Sequence, residues 1–260
     1  MVCSLEITQK SIENYHRDGF LIVENLISAD QIAALTKRLR EYTHDGRTTN
    51  GLGVQKEPRI ERGELQVDHP GDGIRKIDYL VENDDLFQKL GLHENIVGIV
   101  EKILGPDLKL FRNSLLLKPP KVGSAKGFHQ DSPYWPIEPM ELCQCWLALD
   151  TATTENGCLA VIPGMHKTGP LPHQHVTDDY VIEEQAYEGK KETMVLAPVP
   201  AGGGVFFHSL TPHYSAPNNS DHWRRAIAMA YMSSKSTYTG EGEIPEYFHV
   251  KGRSYPGCVR

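Results

Sequence analysis

The sequence predicts a mainly-β fold, a sandwich or jelly roll with helices packed on its outside, and three observations carry that prediction. Beyond Pro106 the chain breaks into short apolar runs separated by Gly, Pro and Asn. Before Pro106, apolar residues recur at helical spacing between recognisable start and stop signals. The chain has 260 residues, 39% of them hydrophobic and 23% charged, an ordinary composition for a domain with one large core and no need of disulfides or structural metal.

In chain order, a first helix is expected to stop at Gly19, ahead of the apolar strand Phe20-Leu21-Ile22-Val23. Ser28 and Gln31 form a capping box before Ile32, Leu35, Leu39 and Tyr42, with Gly46 as the stop. Residues 47–73 are polar and glycine-rich and read as a long loop, a candidate lid. A further helix carries Ile96, Val97, Val100 and Leu104 into the stop Gly105-Pro106. Strands are expected at 108–117, 142–149, 159–162, 194–199, 205–207 and 226–232. The economical division is one domain over residues 1–260: a mainly helical part at 1–106, the jelly-roll core at 107–232 and a C-terminal tail at 233–260. No internal repeat or low-complexity tract is visible.

Charge and cysteine usage narrow the function classes. With 27 Lys and Arg against 34 Asp and Glu, the net charge of −7 disfavours nucleic acid and anionic membranes as partners. The five cysteines, Cys3, Cys143, Cys145, Cys158 and Cys258, are odd in number, form no CxxC and sit mostly in apolar runs, which fits a reducing compartment. Residues 1–10 reach a glutamate and polar residues before any signal-like apolar stretch, and no apolar run approaches the roughly 18 residues of a membrane span. The expected location is cytoplasmic.

Among the 12 histidines the compact signal is His-x-Asp, because strand residues at i and i+2 share a face and can grip one ion. Chance placement gives fewer than one such pair, so context decides. His16-x-Asp18 falls in the first helix, where the two side chains diverge. His129-Gln130-Asp131 follows Gly127-Phe128 in the β region, and His213 offers a third donor from a distant strand. Two imidazoles and a carboxylate on one face of iron leave three positions open, as in non-haem Fe(II) oxygenases. Arg224 heads the last strand on one face with Ala226, Ala228 and Ala230, whose small side chains leave room for a guest carboxylate held bidentately. Arg225, on the other face, reads as a surface charge.

With these residues in place, the chain resembles the phytanoyl-CoA dioxygenase family of Fe(II)/2-oxoglutarate-dependent oxygenases. The resemblance covers most of the chain: Tyr15-His16-Arg17-Asp18-Gly19-Phe20-Leu21-Ile22-Val23, then His129-Gln130-Asp131 with Pro133-Tyr134-Trp135, then Asn156-Gly157-Cys158-Leu159, Ile162-Pro163-Gly164 and His166, then His213, Ser215 and Arg224. It implies a double-stranded β-helix (jelly-roll, cupin-like) core, iron ligands at His129, Asp131 and His213, and Arg224 with the Ser215 hydroxyl on the distal carboxylate of 2-oxoglutarate. Trp146 and Lys76 match further cosubstrate contacts, Lys76 through the short Arg75-Lys76-Ile77. The implied cosubstrates are 2-oxoglutarate and O2, with succinate and CO2 released as a small organic substrate is hydroxylated. Related halogenases lack the carboxylate that Asp131 supplies, which favours hydroxylation. Tyr214 stands where many relatives carry a small residue.

Other features have plainer readings. His173 and His175 could form a His-x-His metal pair of the cupin kind, but Pro172, Gln174 and the adjacent acids read as loop. His166 and His208 stand near the predicted site strands and read equally as structural histidines. Phe128, Tyr134 and Trp135 could wall a substrate, Tyr134 and Trp135 being the candidates retained. Lys118, Lys121 and Lys126 could meet a phosphate but read as a solvated loop, as do Lys190 and Lys191. The alternatives to an oxygenase are a cupin-like metalloenzyme without 2-oxoglutarate, which has no need of Arg224, and a binding protein on the same fold. The loops at 47–73 and 163–193 are expected to carry specificity.

Overall fold

The computed structural model describes residues 7–260, so Cys3 and the start of the 1–10 stretch lie outside the described residues. Helix α1 (Gln9–Asp18) is capped by the Thr8 side chain and stops where Gly19 adopts φ +84°, the left-handed geometry that glycine reaches without a Cβ penalty. Strand β1 (Phe20–Val23) follows. Helix α2 (Ala29–Thr43) opens on the Ser28/Gln31 capping box and buries Leu35, Leu39 and Tyr42. It ends three residues before Gly46, because His44 closes the last turn onto Arg40 O.

The polar stretch 47–73 is more ordered than a loop. It carries β2 (Gly53–Lys56) and the single turn α3 (Pro58–Glu61), and β2 pairs with β3 (Ile74–Asp78). Short helices α4 (Leu80–Asn83) and α5 (Asp85–Gly91) lead to α6 (Glu94–Leu104), which ends at Gly105 as its periodicity predicts. The strands that follow are β4 (Leu108–Lys118), β5 (Lys126–His129), β6 (Ile137–Glu138), β7 (Cys143–Ala148) and β8 (Leu159–Val161). Then come the hairpin β9 (His173–Val176) and β10 (Asp179–Ile182), and β11 (Val195–Ala197), β12 (Gly204–His208), β13 (His213–Ser215) and β14 (Arg224–Ser233). The expected tail adds β15 (Thr237–Tyr238) and β16 (Phe248–Lys251), and β16 pairs with β4.

Strands β9-β10 and β6-β15 are separate two-stranded pairs, and most of the others form two facing sheets. The larger has the order β1-β12-β7-β14-β4-β3-β2, with β16 also on β4; the smaller has β11-β8-β13-β5. This is the expected jelly roll. The chain before Pro106 is less purely helical than its periodicity suggests, since β1, β2 and β3 extend the larger sheet at both edges.

Side-chain alternation assigns the two faces of that sheet different tasks. Cys143, Cys145 and Leu147 of β7 and Ile227, Met229 and Tyr231 of β14 point outward into the main core with Leu35, Leu39 and Ile96 of the helices. The thiols there behave as small hydrophobes, and burial pushes Cys143 up to about 12. The other face carries Gln144, Trp146, Arg224 and Ala228 and looks into a cavity of about 1130 Å³ between the sheets. No helix among the described residues is long and apolar enough to cross a membrane.

Candidate active site

His129 ends β5 and His213 begins β13, and the two are direct partners across an antiparallel pair, their rings 4.0 Å apart between centroids. Asp131 joins them by a route that strand alternation does not supply. It lies beyond β5 with φ −84° and ψ −49°, and its backbone N–H donates to Ser209 O at 2.9 Å, so the chain has already turned when the carboxylate reaches the imidazoles. The result is His129 Nε2 at 3.7 Å from Asp131 Oδ1 and His213 Nε2 at 3.9 Å from Asp131 Oδ2. All three donor atoms fit within 4.8 Å of one another, the single such cluster among the described residues.

The hydrogen bonds behind this cluster fix its chemistry. His129 Nδ1–H donates to Gly127 O at 2.9 Å and His213 Nδ1–H to Thr211 O at 3.0 Å, since a carbonyl can only accept. Each ring therefore turns an unprotonated Nε2 towards Asp131, the tautomer a metal requires. Burial, reinforced by His213 and Lys126, holds the His129 pKa well below the ordinary value and keeps that ring neutral. Gln144 of β7 donates to Asp131 Oδ2 at 2.8 Å and orients the carboxylate, a role no sequence spacing announces. Gln130, between the two ligands, clamps the segment through Leu210 O, Gly169 O and Leu171 N–H. A neutral His/His/carboxylate set of this kind fits a divalent iron.

Along β14 the cavity changes character. Arg224 is 3% exposed, yet its Nε and Nη1 have no hydrogen-bond partner. Its guanidinium carbon lies 5.4 Å from the Trp146 ring centroid, and burial lowers its pKa to about 10. A buried cation with unsatisfied donors is costly unless an anion pairs with it, so these atoms fit a carboxylate guest. Ser215 and Trp146 line the same cavity. Lys76 also lines it, with its ammonium 3.0 Å from Asp78 Oδ1, and burial followed by Arg112 lowers its pKa.

Two lysines read as solvated are inside. Lys118 of β4 is buried directly opposite Arg224, and its ammonium donates to Ser215 O at 3.1 Å and to Ala216 O. Lys126 of β5 lines the cavity and pairs with Asp179, while Lys121 remains exposed beside Asp221. The apolar half of 108–117 gave no sign that Lys118, the next residue, shares the inward face. Burial, then Arg224 and Arg75, push the Lys118 pKa from 10.5 down to about 6. Between those limits the unfolded chain binds more protons, so stability gains from Lys118 as pH rises and loses as pH falls towards 6. The melting temperature of wild type relative to Lys118→Met is expected to rise by several degrees from pH 6 to pH 10. A pH-independent difference would show that Lys118 stays charged in the fold.

The remaining expectations divide. Tyr134, 39% exposed, and Trp135 both line the cavity, as anticipated. Phe128 does not; it packs in a small core with Ile162, Met165 and Ile182, and Tyr214 stacks on it at 5.3 Å, which accommodates the larger residue at that position. His166 and His208 pack on each other at 5.1 Å away from the cavity. His173 and His175 lie on a strand, where Tyr180 contacts both rings, and His173 Nε2 accepts from the Gln130 N–H. His16 and Asp18 diverge on α1, Asp18 pairing with Arg17. Arg225 is half-buried in a two-pronged bond to Asp150 at 2.7 and 2.6 Å, not a free surface charge. Segments 54–61 and 175–180 of the two expected specificity regions both contribute to the cavity wall.

Comparison with known proteins places the chain in a family and matches its fold. The family model described as Phytanoyl-CoA dioxygenase (PhyH) matches residues 15–226. Peroxisomal phytanoyl-CoA dioxygenase of Rattus norvegicus is 31% identical over 257 residues, covering 95% of this chain and 72% of that protein. Ectoine dioxygenase of Stutzerimonas stutzeri (strain A1501) is 27% identical over 243 residues, covering 86% of this chain and 76% of that protein. Among solved structures, EctD from S. alaskensis in its apoform superposes with a TM-score of 0.75 at 19% identity, covering 100% of this chain and 89% of that one. The epimerase SnoN in complex with Fe3+, alpha ketoglutarate and nogalamycin RO gives 0.70 at 22% identity, covering 94% and 95%. The likeness to these structures is one of fold. The matched span includes the His129, Asp131 and His213 cluster and Arg224, and on that extent of sequence the chain belongs to the phytanoyl-CoA dioxygenase family.

Proposed function

We propose that this chain is a non-haem Fe(II)- and 2-oxoglutarate-dependent dioxygenase that oxidises a C–H bond of a small organic molecule, with residues 1–260 acting as one oxygenase domain. In this reading His129, Asp131 and His213 hold the iron, Arg224 and Ser215 hold the distal carboxylate of 2-oxoglutarate, Trp146 and Lys76 line its site, and Tyr134 and Trp135 meet the substrate. The observation that carries it is the convergence of two unprotonated Nε2 atoms and one carboxylate within 4.8 Å, in a cavity that also holds the unpaired buried guanidinium of Arg224.

When bound, iron with 2-oxoglutarate and O2 supplies the oxidation, releasing succinate and CO2. The protein's own residues set where that happens. Gly127 O and Thr211 O keep both imidazoles in the ligating tautomer, and Gln144 stops the carboxylate from rotating away. Trp146 and the small side chain of Ala228 leave a slot in front of Arg224, where a carboxylate gains charge-assisted bonds in a place with little competing water. Ectoine and phytanoyl-CoA name the substrates of relatives; the cavity, about 1130 Å³, accepts a guest of small-molecule size beside the cosubstrate.

Anaerobic titration of the protein with Fe(II) and 2-oxoglutarate tests the reading without a substrate. A weak visible charge-transfer band that needs both additions is expected. Metal binding with no band would favour a cupin-like enzyme without 2-oxoglutarate, and no metal binding would favour a binding protein.

A further inference from the structure

The inner face of the larger sheet is a ladder whose rungs can be read from the register. One rung runs Lys118–Arg224, and six residues along β14 another runs Arg112–Ala230–Gln144. Six residues of strand span roughly 20 Å, so the second rung lies at the opposite end of the cavity from the cosubstrate arginine. It is the rung of the metal cluster, because Gln144 donates to Asp131 Oδ2. Ala230, between Arg112 and Gln144, is fully buried under the apolar cluster of Trp135, Ile137 and Leu142, while Arg112, Trp135 and Gln144 line the cavity around it.

Arg112 faces the cavity by ordinary alternation with Lys118 and Ser114, and a local irregularity follows it directly. The β4–β14 register steps from Ala230–Arg112 to Tyr231–Leu110, which leaves Phe111 as an extra residue. Such a bulge re-aims the side chains around it, and here Phe111 and Arg112 both come to Trp135, at 4.9 Å between centroids and 6.0 Å from guanidinium carbon to centroid. The guanidinium is poorly paired. Its one ion pair among the described residues is to Asp78 Oδ1 at 3.6 Å, beyond hydrogen-bond reach, and that carboxylate already accepts from Ser114 and faces Lys76 at 3.0 Å. The side chain remains 39% exposed and lines the cavity. On the same rung, Gln144 Oε1 is buried without a partner.

We infer that Arg112 is the anchor for a carboxylate of the substrate, placing an organic acid, rather than an ester, thioester or amide, in the cavity that Arg112 shares with the His129, Asp131 and His213 cluster. The inference rests on the oxygenase reading above and adds the class of substrate to it. A guanidinium held beside an indole keeps its N–H edges for a planar, two-oxygen acceptor, and Gln144 Oε1 offers acceptance to a donor elsewhere on the same guest. The two carboxylates fall to different arginines, Arg224 and Arg112, six residues apart along the sheet, with Asp78 between Arg112 and Lys76.

The test uses the protein loaded anaerobically with Fe(II) and 2-oxoglutarate, with octanoate, phenylacetate and adipate as probes, each against its amide. Perturbation of the charge-transfer band reports entry beside the metal. At least one carboxylate is expected to act at a concentration about tenfold or more below its amide. Arg112→Gln is expected to cost that carboxylate about 10- to 100-fold and Arg112→Lys less, while the affinity for 2-oxoglutarate in both variants stays within about twofold of wild type. No preference for any carboxylate, or a preference that survives in Arg112→Gln, overturns the inference and leaves the oxygenase reading standing. Absence of the band in wild type before any probe is added sinks the oxygenase reading and this inference with it.

Discussion

Asp131→Ala is expected to abolish 2-oxoglutarate turnover and to weaken Fe(II) binding by about two to three orders of magnitude, with the fold retained. Asp131 is the sole anion among the three donors, so its loss removes both a ligand and the charge that neutralises part of the dication. Removing an outer partner of a metal ligand alone costs about 10- to 100-fold, and removing the ligand should cost more. The structural penalty is small because the carboxylate faces the cavity. Its side chain makes one hydrogen bond, from Gln144, and the backbone bond to Ser209 O is untouched by the substitution. Water in the enlarged cavity can meet the freed amide. Fe(II) titration, succinate release and a melting curve on the same preparation check this; full succinate release by the variant would remove Asp131 from the iron site.

Arg224→Ala is expected to raise the dissociation constant for 2-oxoglutarate by about 100- to 1,000-fold while leaving Fe(II) affinity nearly unchanged, a loss of roughly 3–4 kcal/mol in keeping with a buried two-pronged charge interaction. The same substitution should not destabilise the metal-free protein. Nε and Nη1 of Arg224 have no partner, and burial has lowered the guanidinium pKa to about 10, so in the absence of an anion the charge is a cost to folding. A melting temperature equal to or above that of wild type, together with the lost affinity, would identify a site whose stability is traded for binding. An unchanged affinity for 2-oxoglutarate would move the carboxylate contact to Lys76, the other cation matched to the cosubstrate site.

Both predictions concern residues visible in the sequence, and the reason is local. Histidine, aspartate and arginine at fixed spacings in a run of short strands carry their chemistry with them. Gly19 and the Ser28/Gln31 box likewise announce themselves, because a left-handed φ and a capping bond involve only a few neighbouring residues. The polar stretch 47–73 was legible as polar and no more. Its strand Gly53–Lys56 has little hydrophobic pattern and exists because β3 offers it a pairing edge. His173 and His175 were misread for the same reason: their strand is made by the pairing with β10 and not by apolar alternation.

The sequence alone determined the fold class, the three longest helices and most of the core strands, and the identities of the three candidate ligands and Arg224. Tertiary structure decided how those residues meet. Asp131 reaches the imidazoles because Ser209 O fixes a turn after β5, not because residues i and i+2 of a strand share a face. Gln144 finds Asp131, Lys118 faces Arg224, and Phe111 is left as an extra residue that meets Trp135 beside Arg112, all through pairings between segments far apart in the chain. Periodicity records which residues avoid water within one element. Register, bulges and the burial of a charge are set by what the neighbouring strand presents, and that information is shared among several strands and written in none of them separately.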